Sequence, residues 1–495
     1  MRTARWVPLR RAAAPAATLA FALLASMLVG DAAPAATACP SPPAVFPQTS
    51  LTSGTLATGL TTISGEAPTS FDVQILGVIP DGIVLGIDAI VARITGPPAF
   101  LQQTGGGFSG MSGSPVSIGG RLVGVVSYGY YADPAVIGLT PGSAMVDLLG
   151  FLDGGRAART IAFTPQVRRA VARTIPAGPA QLTGGLEALP VPVGVSGLPE
   201  RSLRRLQDRL DRHALGVQLF ASGSAAAPAG AATTRFVPGQ PIGSVISYGD
   251  ATIWAMGTAS IVCGDVVAAY GHSLFGGPPG PVTLGMTGAD VLTVMKGSPY
   301  SLPSTLGYVT DTRGTFTQDR YAGQVGTFGT LPPTAAITSH LSSPDTGISR
   351  DGRTDVAFQQ DYWFVDAAWS HFYGNTASVF QRYGRGTSNL SWTIRGATEE
   401  GTPFTVENRG MFWSDYDAAS TVNKLTSSVY ELAFNRFTRV TFTSVEATGS
   451  ITGDRLEGRI SRIRTRTSLQ PALRSRSLVR VRPGGKISVE VTLAP

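Results

Sequence analysis

Residues 105–116 read Gly-Gly-Gly-Phe-Ser-Gly-Met-Ser-Gly-Ser-Pro-Val, and the rest of the chain is interpreted outward from this stretch. A serine placed among glycines on a tight turn presents its hydroxyl group, and the glycines allow backbone N–H groups to converge on one point. A serine nucleophile requires this geometry. The alternative interpretation is a glycine-rich turn between two strands, in which the hydroxyl groups bond only to the neighbouring backbone.

The residues on both sides of this turn have the pattern of β-strands. From Leu56 to Thr95, apolar and polar residues alternate in short runs that are broken by Gly, Pro and Asp, which predicts strands and hairpins. After the turn, Gly119-Gly120 predicts a hairpin and Arg121–Tyr131 predicts a strand. Residues Ser143–Leu149 are expected to form a short helix. The serine turn therefore lies at the junction of a strand and a turn.

Length and composition agree with a β-rich globular protein. The chain has 495 residues, which is enough for two or three domains with their own cores. Its hydrophobic content of 43% and charged content of 14% exclude general disorder. The 60 glycines and 35 prolines indicate many turns.

The N-terminus has the pattern of a secretory signal peptide over residues 1–38. Four arginines precede an apolar run from Ala16 to Gly30, and small residues follow up to Ala38. A membrane anchor and a lipoprotein acylated at Cys39 are the alternatives, but the apolar run is short for a span. We therefore expect a secreted or cell-envelope protein with no stable membrane span after signal cleavage.

The chain has two cysteines, Cys39 and Cys263. In an oxidising compartment they predict one disulfide that ties the start of the mature chain to its middle. Two buried free thiols are the alternative.

The net charge of +7 comes almost entirely from arginine, because the chain has only three lysines. No helix-turn-helix, RRM or zinc-finger pattern accompanies this charge, so a nucleic-acid partner is not expected. The sequence also lacks HExxH and CxxC spacings and a phosphate-binding loop, and it therefore predicts no metal site and no cofactor.

Between residues 154 and 237 the sequence becomes rich in Ala, Pro and Gly, which is typical of a connector. Within it, residues 199–215 space Leu203, Leu206 and Leu210 along one face. This spacing predicts one surface helix that packs through a single apolar stripe.

A second informative stretch begins at Pro238, where several strand-like runs with glycine turns lead to Gly271-His272-Ser273. Histidine titrates near neutral pH and can take the proton of a serine as it attacks, so His272 is the candidate general base. His340 and His371 lack this glycine setting and are interpreted as surface or packed histidines.

Both stretches resemble a known family. The pattern G-x-S-G-x-P is similar to the nucleophile turn of chymotrypsin-like proteases, and the run TGGGFSGMSGSPVSIGGRLVGVVSY resembles the SpoIVB-type peptidases of family S55. The runs VVAAYGH and TFTQDRYAGQVGTF resemble the histidine half of the same family. The resemblance implies a peptide or protein substrate, a nucleophile at Ser112, a general base at His272 and an oxyanion hole formed by the N–H groups of Gly110 and Ser112.

The chain departs from the family in two respects. In SpoIVB the histidine half comes first, whereas Ser112 precedes His272 here, so the two halves are permuted. A cleft between two barrels tolerates this exchange if the connector is long. The family carboxylate lies in a Thr-Asp-Pro segment, but the matching segment here is Thr95-Gly96-Pro97. The candidates for a third catalytic member are therefore left open at Asp88, Asp133, Asp265 and Asp290.

The last part of the chain, residues 346–495, lies outside the resemblance. Clustered aromatic residues at Asp361–Gly374 and an alternating C-terminal run predict a separate β-sandwich-like domain. Arg462, Arg464 and Arg466 point the same way on an extended strand. They are interpreted as a solvated strand face, with binding to an anionic cell-envelope polymer as the alternative.

The sequence thus predicts a mostly β protein with a chymotrypsin-like two-barrel peptidase region in permuted order. The serine half is placed at residues 45–153 and the histidine half at residues 238–345. The expected function is a secreted serine endopeptidase or self-cleaving peptidase that works through Ser112 and His272. The alternative is a catalytically inactive scaffold that serves as an extracellular or cell-envelope binding protein.

Overall fold

The structure, a computed structural model, describes residues 39–150, 160–174, 185–212, 217–275, 280–297, 302–360, 362–456 and 458–494. The predicted signal peptide at residues 1–38 lies outside the described residues. Half of the chain is in strands, so the prediction of a mostly β protein is confirmed. Among the described helices, none is long and apolar enough to cross a membrane.

Strict alternation of buried and exposed side chains begins at Leu56, as expected of strands with one face on a core. The first barrel has six strands: β1 (Leu56–Thr61), β2 (Thr69–Val84), β3 (Ile87–Gly96), β4 (Pro115–Ile118), β5 (Arg121–Gly129) and β6 (Val136–Pro141). They pair in the order β4-β1-β2-β3-β6-β5, and the pairing of β4 with β5 closes them into the first barrel.

Two short helices and one tight turn complete the first barrel. Helix α1 (Pro98–Thr104) leads from β3 into the serine turn, and α2 (Gly142–Leu148) follows β6. Gly119 and Gly120 join β4 to β5 with φ values of 55° and 76°, which glycine adopts without a steric penalty. The predicted hairpin and the predicted helix near Ser143–Leu149 are confirmed.

The connector is folded where the structure describes it. Its elements are β7 (Thr160–Ala162), α3 (Pro165–Ala172), β8 (Gly185–Ala188), β9 (Val191–Val195), α4 (Glu200–Arg212) and β10 (Val217–Ala221). Strands β7 and β8 extend the first sheet, whereas β9 and β10 extend the second. Leu203, Leu206 and Leu210 are buried on one side of α4, so the predicted surface helix is confirmed. Helix α3 was not predicted.

The second barrel is also a closed ring of six antiparallel strands. Its strands are β11 (Pro241–Gly249), β12 (Ile253–Cys263), β13 (Val266–Ala269), β14 (Gly280–Met295), β15 (Ser304–Arg320) and β16 (Gly323–Phe328). They pair in the order β12-β13-β16-β15-β14-β11, and β11 closes the ring on β12. Two such barrels are consistent with the predicted chymotrypsin-like arrangement.

The chain beyond the second barrel extends the sheet of that barrel. Its elements are β17 (Ala335–Ser343), β18 (Ile348–Val356), α5 (Trp363–Phe380), β19 (Gly386–Thr398), β20 (Pro403–Ser414), a 3-10 helix (Ala418–Val422), α6 (Asn423–Ala433) and β21 (Val440–Thr452). Strand β18 pairs with β11, and the sheet continues through β17, β21, β19 and β20. Helix α5 packs on β17 and β18. The structure therefore differs from the predicted separate β-sandwich-like domain, because this sheet is continuous with the barrel and a helix covers it.

The aromatic run at Asp361–Gly374 was predicted to be β-structure, and this is wrong for its described residues, which lie mainly in α5. Fifteen of the 18 residues of α5 are buried. A helix that is buried on nearly every side has no polar face, so its sequence lacks the 3.6-residue period that reveals a surface helix. Aromatic residues favour strands in general, but burial of this segment in the core stabilises a helix instead.

A small antiparallel sheet ends the chain. It consists of β22 (Arg459–Thr467), β23 (Gln470–Arg474) and β24 (Ile487–Ala494), with β22 in the centre. Arg462, Arg464 and Arg466 occupy alternate positions of β22, and Arg464 forms an ion pair with Glu490 of β24.

Cys39 and Cys263 form a disulfide with a Cα–Cα distance of 5.2 Å, as predicted. The bond joins the segment before β1 to the end of β12. Both cysteines belong to an apolar cluster that also contains Leu122, Met145 and Val325. The disulfide thus fastens the entry of the first barrel to the second barrel.

Substitution of Cys263 by serine is expected to lower the free energy of unfolding by about 2–4 kcal/mol, because the unfolded chain regains the freedom of a long loop. The measurement is thermal unfolding followed by circular dichroism, with and without a reducing agent. The reducing agent should lower the melting temperature of the wild type and leave that of Cys263→Ser unchanged. Equal melting temperatures of the oxidised and reduced wild type would contradict the prediction.

Candidate active site

Ser112 lies in the turn that connects α1 to β4. Gly110 and Gly113 both have φ near 98°, in the left-handed region that strongly favours glycine. The N–H of Met111 donates to the carbonyl of Phe108, and both the N–H and the hydroxyl of Ser114 donate to the carbonyl of Met111. The hydroxyl of Ser114 is therefore used inside the turn.

His272 follows β13 through two consecutive left-handed residues, Tyr270 and Gly271, each with φ of 73°. This conformation costs a non-glycine residue about 1–2 kcal/mol, so packing must hold Tyr270 in place. Its ring is fully buried, and its hydroxyl donates to the carbonyl of Ala255 at 3.0 Å. A Cβ atom on Gly257 would lie only 2.4 Å from the Tyr270 ring, so glycine at 257 is what makes room for it.

The structure brings the two predicted residues together. Ser112 Oγ lies 2.9 Å from His272 Nε2, and His272 Nδ1 lies 2.9 Å from the carbonyl oxygen of Ser273. Because a carbonyl oxygen only accepts, we assign the ring proton to Nδ1, so that Nε2 is unprotonated and can accept the proton of Ser112. This is the geometry of a serine next to a general base.

The two amides predicted for the oxyanion hole belong to Gly110 and Ser112. Within the described part of the chain, neither N–H donates to a protein acceptor. An oxyanion hole requires N–H groups that can donate to an oxygen atom of the substrate.

The second barrel holds the serine turn in place. From β12, the N–H of Thr258 donates to the carbonyl of Ser112 at 2.8 Å, and its hydroxyl donates to the carbonyl of Gly110 at 3.1 Å. The hydroxyl of Ser260 donates to the carbonyl of Gly113 at 2.8 Å. Every carbonyl that these bonds satisfy is buried, where an unpaired polar group would be costly.

The first barrel in turn holds the histidine turn. The hydroxyl of Thr140 on β6 donates to the carbonyl of Gly271 at 2.6 Å, and it lies 2.9 Å from the hydroxyl of Ser127 on β5. The serine turn has further bonds to the second barrel. Just before this turn, the N–H of Ser109 donates to the carbonyl of Pro303, and the N–H of Thr305 donates to the carbonyl of Ser109. Each of the two turns is thus anchored on the opposite barrel.

Ser112 and His272 are buried, with exposed fractions of 2% and 4%. Water is therefore excluded from the hydrogen bond between them, which strengthens its electrostatic character.

His272 lies within hydrogen-bond distance of Ser112 and Ser273, whereas the four candidate aspartates lie beside other residues. Asp88 accepts from the N–H of Asp81, Asp133 pairs with Arg93, and Asp265 pairs with Arg235. Asp290 lies on β14, opposite Tyr308 of β15.

A carboxylate that the sequence interpretation missed, Asp319, lies close to the histidine. Asp319 is at the end of β15 and accepts hydrogen bonds from Ser273 Oγ at 2.9 Å, from the N–H of Leu274 at 2.9 Å and from the N–H of Phe275 at 3.3 Å. The signal for it was present in the run TFTQDRYAGQVGTF, which resembles the histidine half of the family. No spacing in that run marks the aspartate as a partner of residues 44–46 positions away.

Burial raises the pKa of Asp319 to about 6, because desolvation disfavours the charged carboxylate and outweighs its hydrogen bonds. The folded state consequently binds more protons than the unfolded state between the ordinary aspartate range and about pH 6. The contribution of Asp319 to stability therefore falls as the pH rises through this window. At neutral pH, ionisation of the buried Asp319 therefore lowers the free energy of unfolding.

The other described histidines lie outside the site, as predicted. His340 is exposed and pairs with Asp351. His371 is buried in α5, where desolvation lowers its pKa to about 4, and it lies within hydrogen-bond distance of the hydroxyls of Thr354 and Ser339. Among the described residues, no group of three or more His, Cys, Asp or Glu is placed to hold a metal ion.

Part of the first barrel is similar to a known protein family. Residues 36–138 match the family model of the SpoIVB peptidase S55. The match confirms the resemblance that the serine motif predicted, and it contains Gly110, Ser112 and the strands of the first barrel from β1 to the start of β6. The S55 match ends before the second barrel and His272. No curated protein and no solved structure matches the chain.

Gly113 is the position at which the contact between the S55-matched segment and the second barrel can be tested. A Cβ atom there would lie 2.1 Å from the carbonyl oxygen of Thr258 and 2.6 Å from the amide of Tyr270. Gly113→Ala is expected to lower the free energy of unfolding by roughly 3 kcal/mol or more, since a backbone collision is added to an unfavourable φ. The measurement is urea unfolding.

The matched control is Gly119→Ala. Gly119 also has positive φ, at 55°, but nothing lies within 4 Å of its Cβ position, so only the conformational cost of about 1–2 kcal/mol is expected. Equal destabilisation by the two substitutions would contradict the tight contact at Gly113.

Proposed function

We propose that this protein is a serine peptidase that cleaves peptide or protein substrates by acyl transfer through Ser112 and His272. The observation that carries the proposal is the 2.9 Å contact between Ser112 Oγ and His272 Nε2, two residues 160 positions apart that come from different barrels. The S55 match over residues 36–138 supports the same reaction class.

In the first half of the proposed reaction, Ser112 Oγ attacks the substrate carbonyl carbon while its proton passes to His272 Nε2. The carbonyl oxygen takes up the electron pair of the broken π bond and is stabilised by the N–H groups of Gly110 and Ser112. The carbonyl then re-forms, the C–N bond breaks, and the leaving amine takes the proton from Nε2. The product of this half is an ester of Ser112.

In the second half, a water molecule gives a proton to His272 Nε2 and attacks the ester carbon. The C–O bond to Ser112 breaks, Ser112 Oγ recovers the proton, and the carboxylic acid product leaves. Throughout the cycle the Nδ1 proton stays on the imidazole and donates to the carbonyl of Ser273, which keeps Nε2 facing Ser112.

We also propose that the protein works outside the cytoplasm, after removal of residues 1–38. The Cys39–Cys263 disulfide supports this location, because such bonds persist in oxidising compartments.

Two observations favour a second candidate function. Ser112 and His272 are nearly inaccessible, and no aspartate stands at the family position in Thr95-Gly96-Pro97. A peptidase-like scaffold that binds an envelope partner without cleaving it would need no access to the pair.

Covalent labelling with a fluorophosphonate separates the two candidates, because this reagent reacts with activated serines. The wild type is expected to be labelled, whereas Ser112→Ala should not be labelled at all. His272→Ala should lose labelling by several orders of magnitude, since the base that activates the serine is gone. The measurement is the adduct mass of the purified protein over time.

Ser117→Ala is the matched control, because Ser117 lies on β4 close to the same turn but its side chain takes no part in the proposed chemistry. It should be labelled at the wild-type rate. A well-folded wild type that stays unlabelled would refute the peptidase and leave the binding scaffold.

A further inference from the structure

A single peptide group connects Asp319 to His272. The carbonyl of Ser273 lies 2.9 Å from His272 Nδ1, and the N–H of Leu274 donates to Asp319 Oδ1 at 2.9 Å. This carbonyl and this N–H belong to the same planar peptide unit and point in opposite directions. The three groups therefore form a chain that runs carboxylate, peptide, imidazole.

The same carboxylate fixes the residues around that peptide. Its Oδ2 accepts from the hydroxyl of Ser273 at 2.9 Å and from the N–H of Phe275 at 3.3 Å. Three consecutive residues thus donate to one buried side chain, which is 6% exposed. The orientation of the Ser273 carbonyl, and with it that of the imidazole, follows from where Asp319 lies.

We propose that Asp319 is the positioning residue of His272 and acts through the Ser273–Leu274 peptide group, in place of the carboxylate missing from Thr95-Gly96-Pro97. This inference rests on the proposed peptidase function. A negative charge on the N–H side polarises the peptide and makes its carbonyl a stronger acceptor. The imidazolium that forms when Ser112 loses its proton is stabilised by this acceptor and by the nearby charge.

The surroundings of Asp319 keep this charge effective. Burial removes the water that would otherwise screen it. Tyr270, a titratable neighbour, stays neutral because burial raises its pKa well above the ordinary value. At neutral pH Tyr270 therefore adds no charge beside the carboxylate.

The test compares Asp319→Asn with Asp311→Asn, a control on the same strand whose carboxylate binds Arg313 and Thr310. The rate constant of fluorophosphonate labelling is measured as a function of pH, and circular dichroism verifies folding. Asp319→Asn is expected to be labelled about 10- to 100-fold more slowly, a loss comparable to removal of the outer partner of a metal-bound histidine. Asp311→Asn should keep the wild-type rate.

The pH dependence of the labelling rate distinguishes a positioning role of Asp319 from a purely structural one, because a purely structural role would not change its midpoint. Labelling needs a neutral imidazole, and loss of the carboxylate makes the imidazolium less favourable. The midpoint of the acid limb should therefore move to lower pH in Asp319→Asn. A folded Asp319→Asn with the wild-type rate and midpoint would overturn the role of Asp319, whereas an unlabelled wild type would overturn the peptidase itself.

If Asp319→Asn does not fold, NMR of the wild type provides the second measurement. The Nδ1 proton of His272 should give a resonance that shifts as Asp319 titrates near pH 6. A His272 resonance that is insensitive to pH over the range in which Asp319 titrates would overturn the proposal.

Discussion

The site depends on reciprocal hydrogen bonding between two barrels. Thr258 and Ser260 of the second barrel bind the backbone of the serine turn, and Thr140 of the first barrel binds the carbonyl that precedes His272. All of these donors and acceptors are buried, so a shift of either barrel would leave them unpaired. The distance from Ser112 to His272 is therefore set by the barrel interface and by no local segment of the chain.

This constraint explains why the order of the two halves has little bearing on the geometry. The hydrogen bonds from Thr258, Ser260 and Thr140 that align the site connect the two barrels directly. Its strands extend one sheet or the other, with β7 and β8 on the first and β9 and β10 on the second. The disulfide adds a covalent link at the same interface, within an apolar cluster drawn from both barrels.

Backbone conformation at the site is specialised on both sides. Gly110 and Gly113 give the serine turn its left-handed residues, and Tyr270 and Gly271 do the same before the histidine. Tyr270 is held in this conformation by its buried ring and by the space that Gly257 leaves. Such strain persists where the surrounding structure over-determines it, as it does at many functional sites.

The sequence by itself determined the strands of the first barrel, helix α4, the disulfide pair and the two motifs that hold Ser112 and His272. Each of these has a local signature: alternation, a leucine stripe, a count of two cysteines, or glycines around a reactive side chain. The tertiary structure decided the rest. Helix α5 is buried on nearly every side and carries no periodic signal. Asp319 meets residues 273–275 only because β15 passes beside the histidine turn, and no spacing along the chain encodes a contact between elements that distant.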